Sequence, residues 1–351
     1  MRFVPLSLAA VAASLALTAA PAALAAQSAD FKRGEAAYQA GDYRGAIGAF
    51  SAAIAADPRA WLALVDRGNA YYALREWDSA ASDYRKALTI KSDYDTWVAL
   101  GNTLDNDGDY SGAVTAYRSA IALNGRKATA WIELGVAQSG QKQIGEAAKS
   151  FEVAAKLEPK NGRALKLLGD AYYQLERPED AIAPLQKAEK LLPGDIVPPR
   201  RLGDIYQDLS KTDDDKGGVS NRDLSSAAYD RALAIDPRDF ETLMSKGNLY
   251  YNKGDYGAAL AFYRQGVKAQ PDNAWAQSYL GDTYYFTGAF SQARVAYDAA
   301  LAIDSQFVDA LKGGARARAK LGDRSGARSM VDRLKRIDSK AGEALGKELF
   351  P

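Results

Sequence analysis

The stretch DNDGDYSGAV, residues 105–114, places acid and amide side chains around one glycine, a composition that could bind calcium. A helix-loop-helix calcium site needs oxygen ligands at positions 1, 3 and 5, a glycine at position 6 and a bidentate Glu at position 12. Counted from Asp105, position 6 is Tyr110 and position 12 is Ala116. The glycine and the closing carboxylate are missing, so the sequence favours a turn over a metal site.

Catalytic chemistry also lacks its usual residues. The chain has no Cys and no His, which excludes a thiolate, a histidine-activated nucleophile and a soft-metal site. No glycine-rich phosphate loop occurs, and no pair of carboxylates is singled out by its position. We therefore expect no enzymatic activity, no metal and no cofactor.

The charge balance argues against a nucleic-acid partner. The chain carries 45 Lys and Arg against 44 Asp and Glu, so no general attraction to phosphate backbones follows. Basic residues are nevertheless concentrated between Lys312 and Lys340. This basic patch is either a solvated outer face or a docking site for an anionic partner, and its candidate residues are Arg316, Arg324, Arg328, Arg333 and Arg336.

Glycine recurs along the chain at a nearly fixed spacing, the mark of a repeat architecture. These glycines are Gly68, Gly101, Gly135, Gly169, Gly203, Gly247 and Gly281. An alanine follows most of them after twelve residues, and a bulky residue lies four positions further on, as in Ala80 and Tyr84. Residues three or four apart share one face of a helix, so the spacing predicts two amphipathic helices in each repeat.

The residues between the two helices fit a helix-turn-helix connection. In the recurring GDY motif, glycine suits the residue in left-handed conformation that ends a helix. The aspartate that follows it, Asp42, Asp109 or Asp255, suits the N-cap of the next helix. Repeat five has ERPED instead, where Pro178 suits a first helical position. Second helices commonly end near a proline, which cannot continue a helix; these prolines are Pro58, Pro159, Pro193, Pro237 and Pro271.

The stretch WIELGVAQSGQKQIGEAAKSFEVAAKLEP, residues 131–159, resembles the tetratricopeptide repeat (TPR) family. The resemblance implies an all-α fold, an α-solenoid of about nine helix-turn-helix repeats in a right-handed superhelix, over residues 27–341 with a C-terminal tail at 342–351. The repeats start near Gln27, Trp61, Tyr94, Ala128, Gly162, Ile196, Phe240, Ala274 and Val308. The last repeat departs most, with Ala315 in place of the glycine and Val331 in place of the aromatic residue, as expected of a terminal cap.

Repeat six is about ten residues longer than its neighbours. The extra residues fall within 209–224, LSKTDDDKGGVSNRDL, which is polar and contains two glycines. The composition predicts a surface insertion between the two helices of that repeat. It is either a tolerated insertion or a loop that contacts a partner.

The first 26 residues have the features of a secretory signal. Arg2 precedes a mostly apolar stretch rich in Ala and Leu, which ends in Ala23-Leu24-Ala25. This pattern predicts cleavage after Ala25 or Ala26, and hence no membrane-spanning segment in the mature chain. The absence of cysteine fits an oxidising compartment, so we expect a periplasmic or secreted protein.

The family resemblance also implies a binding groove lined by the first helix of each repeat. The residue after each glycine, together with the second tyrosine three positions later, should then face the groove. The candidate residues are Asn69, Tyr72, Asn102, Asp170, Tyr173, Asp204, Asn248, Tyr251, Asp282 and Tyr285, with Tyr38 in the first repeat. Amides and carboxylates can bond an extended peptide backbone, and tyrosine adds rigid contact area with a polar tip.

Two binding functions remain open from the sequence, and a third possibility is a purely structural spacer. In the first, the chain is a periplasmic adaptor that binds extended segments of envelope or secretion proteins in its groove. In the second, it belongs to a polysaccharide export or cell-wall assembly apparatus and binds glycan there. Tyrosines and carboxylates suit either ligand, and the same residues are also common fillers in this family.

Overall fold

The structure is a computed structural model that describes residues 29–210 and 220–351. Within these ranges the chain forms nineteen α-helices and no strand. The helices are α1 Ala29–Gln39, α2 Tyr43–Ala56, α3 Trp61–Ala73, α4 Trp77–Ile90, α5 Tyr94–Asp107, α6 Tyr110–Leu123, α7 Ala128–Gly140, α8 Ile144–Leu157, α9 Gly162–Gln174, α10 Pro178–Leu191, α11 Val197–Leu209, α12 Asn221–Ile235, α13 Phe240–Asn252, α14 Tyr256–Ala269, α15 Ala274–Phe286, α16 Phe290–Ile303, α17 Val308–Lys320, α18 Arg324–Ile337 and α19 Ser339–Leu349.

The helices form nine consecutive antiparallel pairs, followed by one single helix. In each pair we call the first the A helix and the second the B helix. The predicted starts of repeats two to nine coincide with A-helix starts to within one residue, which confirms the repeat assignment. The chain divides into two compact units after Pro159. Within each unit, an A helix packs on its own B helix and also contacts A helices of neighbouring repeats.

The glycine of each A helix lies directly beneath the bulky residue of its B helix. A Cβ atom added at Gly101 or Gly135 would lie 2.4 Å from the ring of Tyr117 or Phe151. The same contact recurs at Gly34, Gly68, Gly169, Gly203, Gly247 and Gly281. Only glycine lets the two helices approach this closely, which explains the regular spacing of glycine in the sequence.

The alanines predicted on the B helices pack into the interface between the paired helices. Ala80, Ala113, Ala147, Ala181, Ala259 and Ala293 are all fully buried. In the ninth repeat both partners of the glycine contact change together, since Ala315 and Val331 are both buried. A smaller side chain on α18 leaves space for a methyl group on α17, so the departure seen in the sequence is compensated by packing.

The turns follow the predicted chemistry where the GDY motif is present. Asp42, Asp109 and Asp255 each cap a B helix by accepting a backbone N–H bond from the residue three positions later. Gly108 precedes the second of these caps with φ +86°. Three other repeats place Arg75, Lys142 and Glu176 in the left-handed region instead, a conformation that costs energy for a residue with a Cβ atom. Pro178 begins α10, as predicted.

Two predicted segments lie wholly or partly outside the described residues. The predicted signal, residues 1–26, lies outside them, as do residues 211–219 of the insertion. The flanking helices end at Leu209 and begin at Asn221, so the insertion separates the two helices of repeat six, as predicted. No helix in the described ranges has the length and apolar character that a membrane crossing requires.

The predicted C-terminal tail at 342–351 needs correction, because residues 342–349 belong to helix α19. Asp338 caps this helix through the backbone N–H of Ala341, and Gly342 and Leu345 are buried. The helix packs on α18. It therefore covers the last B helix as a single A helix would, and its start was hidden in the sequence because no full repeat follows.

The glycine contact predicts a compensating pair of substitutions in repeat four. Gly135→Ala places a methyl group against Phe151 and should destabilise the chain by about 1 to 3 kcal/mol in urea denaturation. Adding Phe151→Val reproduces the combination at Ala315 and Val331 and should recover part of that loss. If the double variant loses as much stability as Gly135→Ala and Phe151→Val lose together, the two residues are independent, which would contradict the contact.

The left-handed residues predict opposite effects of two matched substitutions. Lys142 has φ +62°, so Lys142→Gly should stabilise the chain by up to about 1 kcal/mol, as it removes the left-handed strain at some entropic cost. Gly108→Ala should destabilise it by about 1 to 2 kcal/mol, although nothing lies within 4 Å of the added methyl. Thermal melting of both variants checks the signs, and shifts in the same direction would refute the strain argument.

Candidate functional site

The polar residues that follow the repeat glycines bind tyrosines of their own repeats. The hydroxyl of Tyr84 donates to Asn69 Oδ1 at 2.7 Å, and that of Tyr117 donates to Asn102 Oδ1 at 2.8 Å. In the C-terminal unit, the corresponding pairs are Tyr229 with Asp204 at 2.9 Å, Tyr263 with Asn248 at 2.6 Å and Tyr297 with Asp282 at 2.6 Å. Five of the six predicted groove acceptors thus have a structural role.

The same pairing explains why repeat four lacks a polar residue at this position. Its B helix carries Phe151, which has no hydroxyl, and its A helix carries Val136 after the glycine. Repeats one and five break the rule, because Glu35 follows the glycine that packs on Phe50 and Asp170 follows the glycine that packs on Leu185. The carboxylate of Asp170 has no tyrosine to accept from and is bound by the next repeat instead.

Arg201 on α11 is the partner of Asp170. Its Nε donates to Asp170 Oδ1 at 2.9 Å, and its Nη1 lies 3.4 Å from Asp204 Oδ2. The guanidinium also lies over the ring of Tyr173, 4.7 Å from its centroid. Burial raises the pKa of Asp204, although Tyr229 and Arg201 both oppose this effect. One arginine thus neutralises charge from two predicted groove carboxylates.

The predicted groove tyrosines pack against the first aromatic residue of their B helix. Edge-to-face contacts of 5.1 to 5.3 Å join Tyr38 to Tyr43, Tyr72 to Trp77, Tyr251 to Tyr256 and Tyr285 to Phe290. Some also reach the following repeat: Asn106 donates to the Tyr72 hydroxyl at 2.9 Å, and Tyr173 donates to Asp208 at 3.0 Å. These tyrosines close the turn and connect repeats.

Asp66 on α3 is a half-buried carboxylate that the sequence did not single out. Asn69 lies 3.3 Å from its Oδ1, and no described group lies within hydrogen-bond distance of its buried Oδ2. Burial, and to a smaller degree the charge of Glu35, raises the pKa of Asp66 to about 7. A burial pattern, not a sequence motif, distinguishes this residue from the other acids of the A helices.

The predicted basic patch is partly neutralised within the protein. Arg316 donates two bonds of 2.8 Å to Glu348 on α19, and Arg333 donates to the carbonyl of Ser305 at 2.8 Å. Arg328 lies over the ring of Phe350, 5.0 Å from its centroid. Arg324 and Arg336 are exposed, without an ion pair to any described residue. The free cationic surface is therefore smaller than the sequence predicted.

The acidic stretch at 105–114 forms a helix-turn-helix connection. Asp109 accepts the N–H of Gly112 at 2.9 Å, and the left-handed Gly108 ends α5. Among the residues that the structure describes, no three acidic side chains are grouped so that they could hold a metal ion.

Helix α15 carries a feature that the sequence interpretation missed. Trp275, Tyr279, Asp282 and Phe286 lie at i, i+4, i+7 and i+11, which places them on one face of the helix. We call these four residues the α15 stripe. Trp275 is 57% exposed and Phe286 is 53% exposed. The spacing was available in the sequence, but the exposure was not, because other repeats bury aromatic residues at nearby positions.

The raised pKa of Asp66 predicts a pH-dependent stability. Between about pH 4 and pH 7 the folded chain keeps a proton that the unfolded chain releases, so stability should fall as the pH rises through this window. Asp66→Asn should remove this slope and stabilise the chain by about 2 to 4 kcal/mol at pH 8. Urea denaturation from pH 4 to pH 8 measures both effects, with the exposed Asp107→Asn as control. A variant that keeps the wild-type slope would contradict the assignment.

Comparison with known proteins identifies the repeat family. The tetratricopeptide repeat profile matches residues 31–95, 98–156 and 138–196, and a TPR repeat profile matches residues 247–288. Together these matches span more than half of the chain. The curated stress-induced-phosphoprotein 1 of Caenorhabditis elegans is 32% identical over 81 residues, which are 23% of this chain and 25% of that protein. The chain thus matches about a quarter of that relative's length.

Two solved structures share the fold. A tetratricopeptide repeat protein from Parabacteroides merdae has a TM-score of 0.51 at 14% identity, and the match covers 74% of this chain and 99% of that one. The C-terminal part of a TPR repeat-containing protein from Cytophaga hutchinsonii has a TM-score of 0.52 at 17% identity, with 81% and 98% covered. At these identities the likeness concerns the fold alone. On the sequence profiles and the helix pairs, this chain belongs to the tetratricopeptide repeat family.

Proposed function

We propose that this chain is a non-catalytic scaffold that binds extended segments of cell-envelope or secretion proteins on the surface that the A helices form within each unit, the A-helix face. The observation that carries the proposal is that neighbouring A helices contact one another within each unit. A series of polar and aromatic side chains is thereby presented side by side. Such a surface can bond a peptide backbone and bury alternate side chains.

The structural roles found above decide which residues can serve a partner. The side chains of Asn69, Asn102 and Asn248 each have an oxygen occupied by a tyrosine hydroxyl. The amide groups of Asn102 and Asn248 remain as donors for a peptide carbonyl, and Asn69, which donates one N–H to Asp66, keeps a second. The tyrosines that close the turns are held rigidly, so they lose little conformational freedom on binding. The fold thus preorganises the face.

Localisation in the periplasm is the second part of the proposal, and it depends on residues 1–26. A positively charged start, an apolar stretch and a small-residue cleavage site support export. We expect the protein to be recovered from the periplasmic fraction with an N-terminus at Ala26 or Gln27, as measured by mass spectrometry of the intact chain. Recovery only from the cytoplasm with the first 26 residues retained would refute export.

The binding function is tested by photo-crosslinking in intact cells. A photoreactive residue replaces Tyr173 or Tyr251 on the A-helix face, and the trapped molecules are identified by mass spectrometry. We expect a discrete protein partner at one or both positions. The matched control carries the probe at Val295, an exposed B-helix residue, and should trap that partner less efficiently.

The outcome also separates this function from glycan binding and from docking on the basic patch. A glycan-modified product at Tyr251, without a protein adduct, would favour a role in polysaccharide export or wall assembly. Capture only from a probe at Arg324 would place the docking site on the basic patch. In that case binding should weaken as salt is raised, because exposed charges are screened.

A further inference from the structure

The α15 stripe exposes a set of aromatic side chains that the fold holds in place. Trp275 packs edge-on against the buried Phe307 at 4.6 Å, and Tyr279 stacks on Tyr263 at 5.7 Å. At the other end, Phe286 stacks on Tyr256 at 4.9 Å with an angle of 11° between the rings. Each ring of the stripe therefore has one supported side and a share of solvent-accessible surface, unlike an aromatic residue that fills the core.

Asp282 is the half-buried acid of the stripe. Its Oδ1 accepts from Tyr297, and it forms no ion pair with any residue that the structure describes. The charge of Arg316 acts on Asp282 from a distance, but the guanidinium of Arg316 is bound by both oxygens of Glu348. Asp309, a second acid that acts on Asp282, adds negative potential. By contrast, Arg201 neutralises Asp170 and Asp204.

The dimensions of the stripe suit a short piece of extended chain. Trp275 and Phe286 are eleven residues apart on one helix, which corresponds to about 16 Å along the axis. An extended peptide covers that distance with about five residues. The carboxylate lies between the aromatic residues, so a cationic side chain near the middle of the segment could meet it while resting on an aromatic ring.

We propose that the α15 stripe binds an extended segment of a partner protein, with a Lys or Arg side chain on Asp282 and apolar or proline residues on Trp275 and Phe286. This proposal rests on the scaffold function and names the chemistry of one partner segment. Charge complementarity supports this assignment, because Asp282 forms no ion pair with any described residue and lies on one helix face with two exposed aromatic residues. A neutral sugar would use the rings but would leave the carboxylate uncompensated.

The test uses the purified full chain and four fluorescein-labelled pools of nonapeptides. Each pool has Arg, Lys, citrulline or Glu at its centre, with the flanking positions mixed from Leu, Pro, Phe and Ser. Fluorescence anisotropy measures the affinity of each pool. We expect the Arg and Lys pools to bind about tenfold more tightly than the citrulline pool, the magnitude of one charge-assisted contact, and the Glu pool to bind most weakly.

Asp282→Asn is the deciding variant, because the structure shows that Asn supports the fold at this position. Asn248 accepts from Tyr263 at 2.6 Å, as Asp282 does from Tyr297. The variant should melt at the wild-type temperature or above it, because burial raises the pKa of Asp282 and a neutral amide avoids that cost, and it should lower Arg-pool affinity to that of the citrulline pool. Phe286→Ala should weaken binding of the Arg, Lys and citrulline pools, whereas Val295→Ala, an equally exposed truncation on α16, should leave every pool unchanged.

Three results would overturn the proposal. Binding that ignores the central charge, or that Asp282→Asn leaves unaltered, would exclude Asp282 as the recognition group. Binding of mixed chito- and gluco-oligosaccharides that is lost in Trp275→Ala but not in Asp282→Asn would assign the stripe to a glycan. If no pool binds while a probe at Tyr173 still traps a protein, the stripe proposal fails and the scaffold function stands; if neither gives a product, both fail.

Discussion

The contact between the A-helix glycine and the B-helix ring is the constraint on which the rest of the structure depends. Because a Cβ atom at Gly135 would lie 2.4 Å from Phe151, the two helices of a repeat approach at a distance that only glycine permits. The ring also determines which residues can lie next to it. Fully buried alanines line the B helix, and a tyrosine hydroxyl requires an acceptor, since a buried donor without a partner is costly. The composition of the A-helix face is thus partly a consequence of core packing.

This dependence explains how much the sequence could predict. The helix starts, the turn caps and the buried alanines follow from spacing alone, because each depends on contacts within one repeat. The bond between Tyr117 and Asn102 joins residues fifteen positions apart on two helices, and we assigned Asn102 to ligand binding instead. A signal for it was present, since repeat four pairs Val136 with Phe151 while repeats with tyrosine carry Asn or Asp. Reading that signal requires knowing that the two positions meet.

Other features depend on exposure, which a single sequence does not record. Trp131 lies three residues after the start of its A helix, and Trp275 lies one residue after the start of its own. That shift of two residues turns a side chain by about 200° around the helix. Trp131 is half-buried and donates to the carbonyl of Gly125, whereas Trp275 is 57% exposed. The sequence also overestimated the free charge of the basic patch. Glu348 pairs with Arg316, but it lies on a helix that we had assigned to a tail.

Functional residues are best sought where the chain departs from what packing requires. Asparagine satisfies the tyrosine hydroxyl as well as aspartate does, as the 2.6 Å bonds to Asn248 and Asp282 show. The fold therefore requires an acceptor at these positions but not a charge. In repeats five and six, where Asp170 and Asp204 hold this position, the chain supplies Arg201 to compensate them. Asp282 forms no such ion pair with any described residue, and the bond to Tyr297 does not require its negative charge. A carboxylate that packing does not require and that no described residue pairs is available to a partner, which is why Asp282 carries more functional information than the asparagines at the corresponding positions.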